Sequence, residues 1–402
     1  MIQKLEELNA ELEEKRLVRL SSALVVCDQL LTLIEGDNEE DTQVRCAKVL
    51  GTILLLSPGK GKSLSRYHQQ LKPAYKAVLC YQFISKLDKS NTIRNAHITN
   101  YSMYERPQKH LGFQAQDYVQ AVILPILLGA IFQDVGMLHP SVVKVLEGTD
   151  NNKLDPFRVL APEERDHMLK LNHKYTLLYL REGLGAQKYR GNSSYERSEF
   201  EHIESERLIF QQNLISDGSS SKTGVSEILK VPQIYTSVVL SSKQDYKMSD
   251  LPKAAILLEQ MAIKKTLSAK AVNEFVSIVG YFPQGYGICY IPEQSNKSSN
   301  FEYAVVNRLY PPNKQTPLCR KVSRKGVFNS SGNNLLVPKA QNLHFPDARK
   351  SISSISTERL SEIMGALSHN YKAKDGEKPI PEYWEPHDMF VNQEIQNLWT
   401  IS

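Results

Sequence analysis

The sequence predicts a mainly α protein: a helical N-terminal unit, a longer helical bundle and a small C-terminal β unit. Three observations predict it. Apolar residues recur at helical spacing through most of the first 280 residues. Past Gly280 the texture changes to short aromatic and β-branched runs between polar turns. The 402 residues, 41% of them hydrophobic, suffice for two or three structural units with real cores. The expected division is 1–90, 91–280, 281–348 and a polar tail over 349–402.

In chain order, Leu5, Leu8 and Leu12 fall at helical spacing. After a skip, Leu17, Leu20, Leu24, Cys27, Leu31 and Ile34 repeat in steps of three and four, ending at Gly36-Asp37. This heptad-like stripe is either the core face of a bundle helix or the seam of a homodimeric coiled coil through residues 5–34. Further helices are expected over Asp41–Leu56, Leu71–Leu87, Asp117–Asp134, Pro162–Gly183 and Lys253–Glu259. The stretch Asp217-Gly-Ser-Ser-Ser-Lys-Thr-Gly224 is a loop. "YGICYI" and "YAVVNRLY" read as strands and "KGVFNSSGNNLLVP" as a hairpin. The Ser-rich "SISSIST" and the tail after Asn370 have few apolar anchors and are expected to be partly helical, then irregular.

Composition bounds the function classes. A net charge of +5 permits an anionic ligand, but no Lys/Arg run is interleaved with aromatics, so no nucleic-acid polymer is expected as partner. Five widely spaced cysteines without a C-x-x-C fit free thiols in a reducing compartment. The chain opens on a charged helix rather than a signal peptide. Its longest apolar run, Ala121 to Phe132, is too short to span a bilayer. A cytoplasmic location without a membrane span is the expectation.

Two stretches suggest chemistry. "LSPGKGKS", Leu56 to Ser63, ends like a phosphate-binding P-loop but has Leu56 where the first glycine belongs. Its flanks read as helical, so a basic loop is expected and not a nucleotide site. "GAIFQDVGMLHP", Gly129 to Pro140, looks like the helix end of a metal phosphohydrolase, "HDxGK", with Gln133 for the His and Met137 for the Lys. A His-Asp pair there sets an imidazole and a carboxylate beside one metal, and histidines of neighbouring helices complete a two-metal clamp on a phosphoester.

Around that stretch the order of motifs continues. His97 precedes it. "QDVGMLHPSVVKVL" parallels HDIGKxxxPxxxL, and "LAPEERDHMLKLNHKYTLLYL" parallels LxxEExxxMxxHxxxGxxxL, which puts His173 on the second motif's His. "IESERLIF", "ILKVPQIYTSVVLSSKQDY" and "YFPQGYGICYI…YAVVNRLYPPNKQTP" follow in order. From about Asn91 to Phe345 the chain resembles the HD-GYP family, bacterial phosphodiesterases that hydrolyse cyclic di-GMP.

The resemblance implies an HD-type bundle and a partial ligand set. His97, Asp134 and His173 match metal-ligand positions. Gln133 stands for a ligand His, Glu204 and Ser205 for an adjacent His pair, and Gln233 for a late Asp ligand. Met137 and Gln244 replace a Lys and an Arg, and the Gly-Tyr-Pro loop is missing. An amide oxygen binds a transition metal far less well than imidazole nitrogen. No intact catalytic or metal site is therefore expected, and no cofactor, the alternative being iron or manganese at a partial site. His110, His139, His167 and His202 are candidate replacement ligands, with His202 the best placed. Tyr101/Tyr104 and Tyr286/Tyr290 read either as purine-stacking pairs or as packing residues. The implied function is a catalytically degenerate regulatory protein of bacterial signalling that binds a partner protein, with cyclic di-GMP a candidate ligand. The alternative is an active metal-dependent phosphodiesterase with a non-standard ligand set.

Overall fold

The computed structural model describes residues 2–57, 61–93, 95–102, 115–216, 224–293, 301–322, 334–350, 352, 356–367, 381–387 and 398–399. It is mainly α, with a four-stranded antiparallel sheet near the C-terminus.

Helix α1 (Ile2–Ile34) buries Leu20, Ala23, Cys27, Leu31 and Ile34 against the rest of the chain. Its first turns project outward: Leu5, Leu8 and Leu12 are each at least half exposed. The predicted stripe therefore divides, its C-terminal part core and its N-terminal part surface. In α2 (Glu39–Leu55), the Asn38 side chain caps the N-terminus by accepting the Asp41 N–H, and Glu39, Glu40 and Asp41 fill the first turn. Helix α3 (Lys62–Lys89) runs through the middle of the molecule and packs on α2 and on three helices introduced below. It starts nine residues before the predicted Leu71, because its polar first turns carry no apolar period; Leu64, Ser65 and His68 are nevertheless buried. The P-loop-like stretch thus lies between two helix ends, with Pro58 to Lys60 outside the described residues.

Asn95 caps the short α4 (Ala96–Tyr101). Helix α5 (Ala115–Tyr118) passes through a π turn (Val119–Ile123) into α6 (Leu124–Phe132). Every residue from Leu124 to Ala130 is buried, so the strongest apolar run of the sequence is the central core helix. Then come α7 (Pro140–Glu147), a ribbon of β1 (Gly148–Thr149) and β2 (Asn152–Lys153), and α8 (Pro162–Leu178), which continues as a π segment over Tyr179–Leu184. Helices α9 (Ser194–Ser216), α10 (Glu227–Val239), α11 (Lys253–Ile263) and α12 (Ala269–Val279) complete the bundle; α3 lies against α6, α10 and α12. The loop predicted at Asp217 lies outside the described residues up to position 223.

Gly280 ends α12 at positive φ, and the chain enters the sheet β3 (Gly287–Tyr290), β4 (Glu302–Val306), β5 (Leu318–Val322) and β6 (Asn334–Leu336), paired in sequence order. Ile288 faces Ala304, and Val305 faces Arg320. Most of the hairpin expected before Asn334 falls outside the described residues. Two short helices follow, α13 (Pro346–Lys350) and α14 (Thr357–Leu367). The tail is better anchored than its composition suggests. The Trp384 indole N–H donates to the Ala304 carbonyl at 2.9 Å and its ring stacks on Tyr303. Trp399 is buried on α2, where its ring fills the space a side chain at Gly51 would need.

One apolar core runs from Leu20 to Trp399, crossing positions 90 and 280 where the sequence places unit boundaries. Among the described residues, two helices reach the length and hydropathy needed to cross a membrane, Gln3–Ile34 and Val119–Leu138. In the second, 61% of that apolar window is buried inside the protein, and a central core helix passes the same test. All five cysteines are buried and free.

Candidate functional site

The site is built on the end of α6. The apolar helix runs out at Phe132, Gln133 and Asp134 leave its C-terminus, and a 3-10 turn (Val135–Leu138) turns the chain towards α7. Gly136 is required there. A side chain on it would collide with the Asn172 carbonyl and sit 2.8 Å from the Asn172 Oδ1, so only glycine lets this turn close on α8. Its N–H donates to the Thr176 hydroxyl at 3.1 Å.

The Asp134 carboxylate is the centre of a polar cluster. One oxygen takes the Lys76 ammonium of α3 at 3.1 Å. The other accepts the Asn172 amide of α8 at 3.3 Å and the Gln233 amide of α10 at 3.2 Å. Gln233 in turn accepts the Gln133 amide at 2.5 Å. Thr176 ties the cluster to the chain by donating to the Gln133 carbonyl at 3.1 Å. Crowding pushes the Asp134 carboxyl upward, but the charges of Lys76 and Lys72 and the hydrogen bonds from Lys76 and Asn172 outweigh it and hold the pKa below the ordinary value. The Lys76 side chain is 3% exposed and that of Asp134 43% exposed, so the ammonium is buried while the carboxylate meets solvent.

Of the residues singled out in the sequence, the structure brings together Gln133, Asp134 and Gln233 and places the histidines elsewhere. His97 lies on α4, donating from Nε2 to the Ala121 carbonyl at 2.8 Å and stacking on Phe210. Its role there is structural. Its Nε2–H ties α4 to the carbonyl of Ala121 in the π turn that leads into α6. Burial lowers the imidazole pKa, consistent with a neutral ring. His173 is exposed; α8 turns its neighbour Asn172 and, one turn on, Thr176 towards Asp134 instead. Adjacent positions on a helix face about 100° apart, so the face that carries Asn172 does not carry His173.

The other substituted positions are similarly engaged. Glu204 is buried in a two-point ion pair with Arg207 and accepts the Gln187 N–H, while Ser205 is exposed. Gln244 reaches Asp155. His139 accepts the Ser141 N–H as cap of α7 and stacks on Tyr175. His167 is exposed, as is His202 beside Glu206. His110 and Tyr104 lie outside the described residues. Tyr286 and Tyr290 are core residues, 0% and 4% exposed, with no face open for a base.

Among the described residues no three His, Cys, Asp or Glu side chains group as metal ligands. The donor chemistry at Asp134 does not fit iron or manganese either. Both carboxylate oxygens are taken by N–H donors, one of them an ammonium, and a metal cation would have to expel that like charge. Sequence reasoning missed Lys72, Lys76, Asn172 and Thr176. The available signal was in α3: Lys72 and Lys76 stand four residues apart, the second of them flanked by the buried Tyr75 and Ala77. No family model, curated protein or solved structure matches this chain.

Proposed function

We propose that this chain is a catalytically silent, HD-GYP-like regulatory and interaction protein of bacterial signalling, working in the cytoplasm through a partner protein. Two things support the reading: the order and spacing of the motifs from His97 to the C-terminal sheet, and the chemistry at Asp134. The single observation that carries it is the Lys76 ammonium, 3.1 Å from the one carboxylate a catalytic metal would need. An ammonium neutralises the carboxylate and holds it in place. It offers no open coordination position, and so no route to the metal-bound hydroxide on which two-metal phosphodiester hydrolysis depends.

The rival reading is an active metal-dependent phosphodiesterase. Incubation of the full chain with cyclic di-GMP and added manganese or ferrous iron separates the two. Silence predicts turnover no faster than in an Asp134→Ala control. Turnover by the unaltered chain that disappears in Asp134→Ala would establish the enzyme and end the regulatory proposal.

A further inference from the structure

Helix α1 has two long faces, and the packing of the chain accounts for one of them. Leu20, Cys27, Leu31 and Ile34 go into the core. On the opposite side Val18, Ser22, Val25, Val26, Gln29 and Leu33 are exposed. At 100° per residue these six fall within about 100° of one another, so they form one stripe about four turns long. The stripe carries no charge. Its four apolar members, Val18, Val25, Val26 and Leu33, are each between 49% and 61% exposed. The outer face of a surface helix ordinarily carries charged and polar residues, and a contiguous apolar stripe there marks a contact surface where scattered single residues would not. Of the apolar window in Gln3–Ile34, 28% is buried, against 61% in the central core helix. This half of α1 therefore has the composition of a helix packed on two sides and has a neighbour on one.

Two observations say what covers the second side. The first is symmetry. Reversing the stripe about the midpoint between Val25 and Val26 returns the same stripe: Val18 falls level with Leu33, Ser22 with Gln29, and Val25 with Val26. The face is complementary to itself across a two-fold axis, as an isologous interface requires. The second is charge. Lys15, on the same face one turn before Val18, is 60% exposed and paired with Glu11 of its own helix. Asp37 is exposed just past the end of the helix. An antiparallel pair brings each Lys15 level with Asp37 of the second copy. A parallel pair would match the apolar residues as well, but it would set Lys15 against Lys15 and Asp37 against Asp37.

We propose that α1 pairs antiparallel with α1 of a second copy of this chain through the face Val18–Leu33, giving a two-fold homodimer. The contact lies on the side of the helix away from the leucine stripe that the sequence offers as a seam, because from Leu20 onward that stripe belongs to the core. The proposal goes beyond the regulatory reading and does not rest on it.

Sedimentation velocity of the full chain at micromolar concentration is expected to show a dimer. Val25→Glu combined with Val26→Glu sets like charges against each other at the two-fold axis and should give a monomer at the same concentration. That variant should keep its helical circular dichroism, since both valines are exposed in the single chain. Cross-linking fixes the direction of pairing. The five native cysteines are buried, so an introduced surface cysteine is the one open to oxidation. Val25→Cys should give a disulfide-linked dimer. Val18→Cys should not, because antiparallel pairing holds the two copies of that position about 22 Å apart along the axis, far beyond the reach of a disulfide. A monomer throughout the micromolar range, a dimer unaffected by the two glutamates, or Val18→Cys linking as readily as Val25→Cys would each overturn the proposal. So would a monomer that cosediments with vesicles of phosphatidylcholine and phosphatidylglycerol and is released by the two glutamates, which would make a lipid surface the cover. Should the double variant lose helicity, the two cysteine variants decide. None of these outcomes touches the reading of catalytic silence at Asp134.

Discussion

At the scale of single residues, the decisive contact is Lys76 with Asp134. Removing the ammonium alone leaves a crowded carboxylate with amide donors only. Lys76→Met should therefore destabilise the fold by about 1–3 kcal/mol, less than for a fully buried pair because Asp134 keeps part of its hydration. Adding Asp134→Asn should recover much of that loss, and urea denaturation of both variants measures it. If the double variant is no more stable than Lys76→Met, the pair is not the unit described. His97 supplies a second prediction. As the donor to the Ala121 carbonyl it is structural, so His97→Ala should cost roughly 1–3 kcal/mol whether or not metal is present. Chelator or added manganese should not change that cost; a metal-dependent difference would return His97 to the ligand set. Much at this scale was not legible in the sequence. Motif order leads to Gln133, Asp134 and Gln233, which do meet. It also singles out His173, which is exposed, while the adjacent Asn172 turns inward to Asp134, because which face of a helix a residue takes changes with each position.

At the scale of elements, α1 shows what periodicity can and cannot tell. The steps of three and four made a 33-residue helix legible, but both halves of the stripe look alike in sequence. Only packing separates Leu20, 2% exposed, from Leu8, 50% exposed. Leu20→Ala should cost about 2–5 kcal/mol by leaving a cavity, and Leu8→Ala within about 0.5 kcal/mol of nothing. Comparable losses at the two positions in thermal denaturation would mean that the N-terminal turns are covered in solution. Helix α3 shows the opposite failure. Its first turns are polar and Pro73 lies inside it, so no apolar period announces them. They are helical because neighbouring helices and the turn after α10 hold them, as the bonds of His68 to Ser57 and Ser241 illustrate. The lysines of the polar cluster went unread for the same reason.

At the scale of the whole molecule, the mainly α architecture and the switch to strands after Gly280 were legible, because they rest on period and residue type along the chain. That one core crosses positions 90 and 280 was not, since it depends on which faces meet. Acid stability is a property of that shared core. Burial pushes His68 and His344 down to about 4 from an ordinary 6.5. A folded pKa below the unfolded one means the unfolded chain binds more protons between those values. Stability should thus be full above pH 6.5 and fall as pH drops towards 4, each histidine contributing on the order of 2–3 kcal/mol. Urea midpoints across that window test it, and His344→Gln should flatten the decline; an unchanged slope would show that His344 titrates normally.

The central claim is that Asp134 is held by the protein's own donors, not by a metal. The most direct measurement is the metal content of the full chain after loading with iron or manganese and gel filtration. The account predicts well under one equivalent per chain, unchanged by Asp134→Ala. Retention of about two equivalents, as a two-metal hydrolase requires, with loss of both in Asp134→Ala, would contradict it.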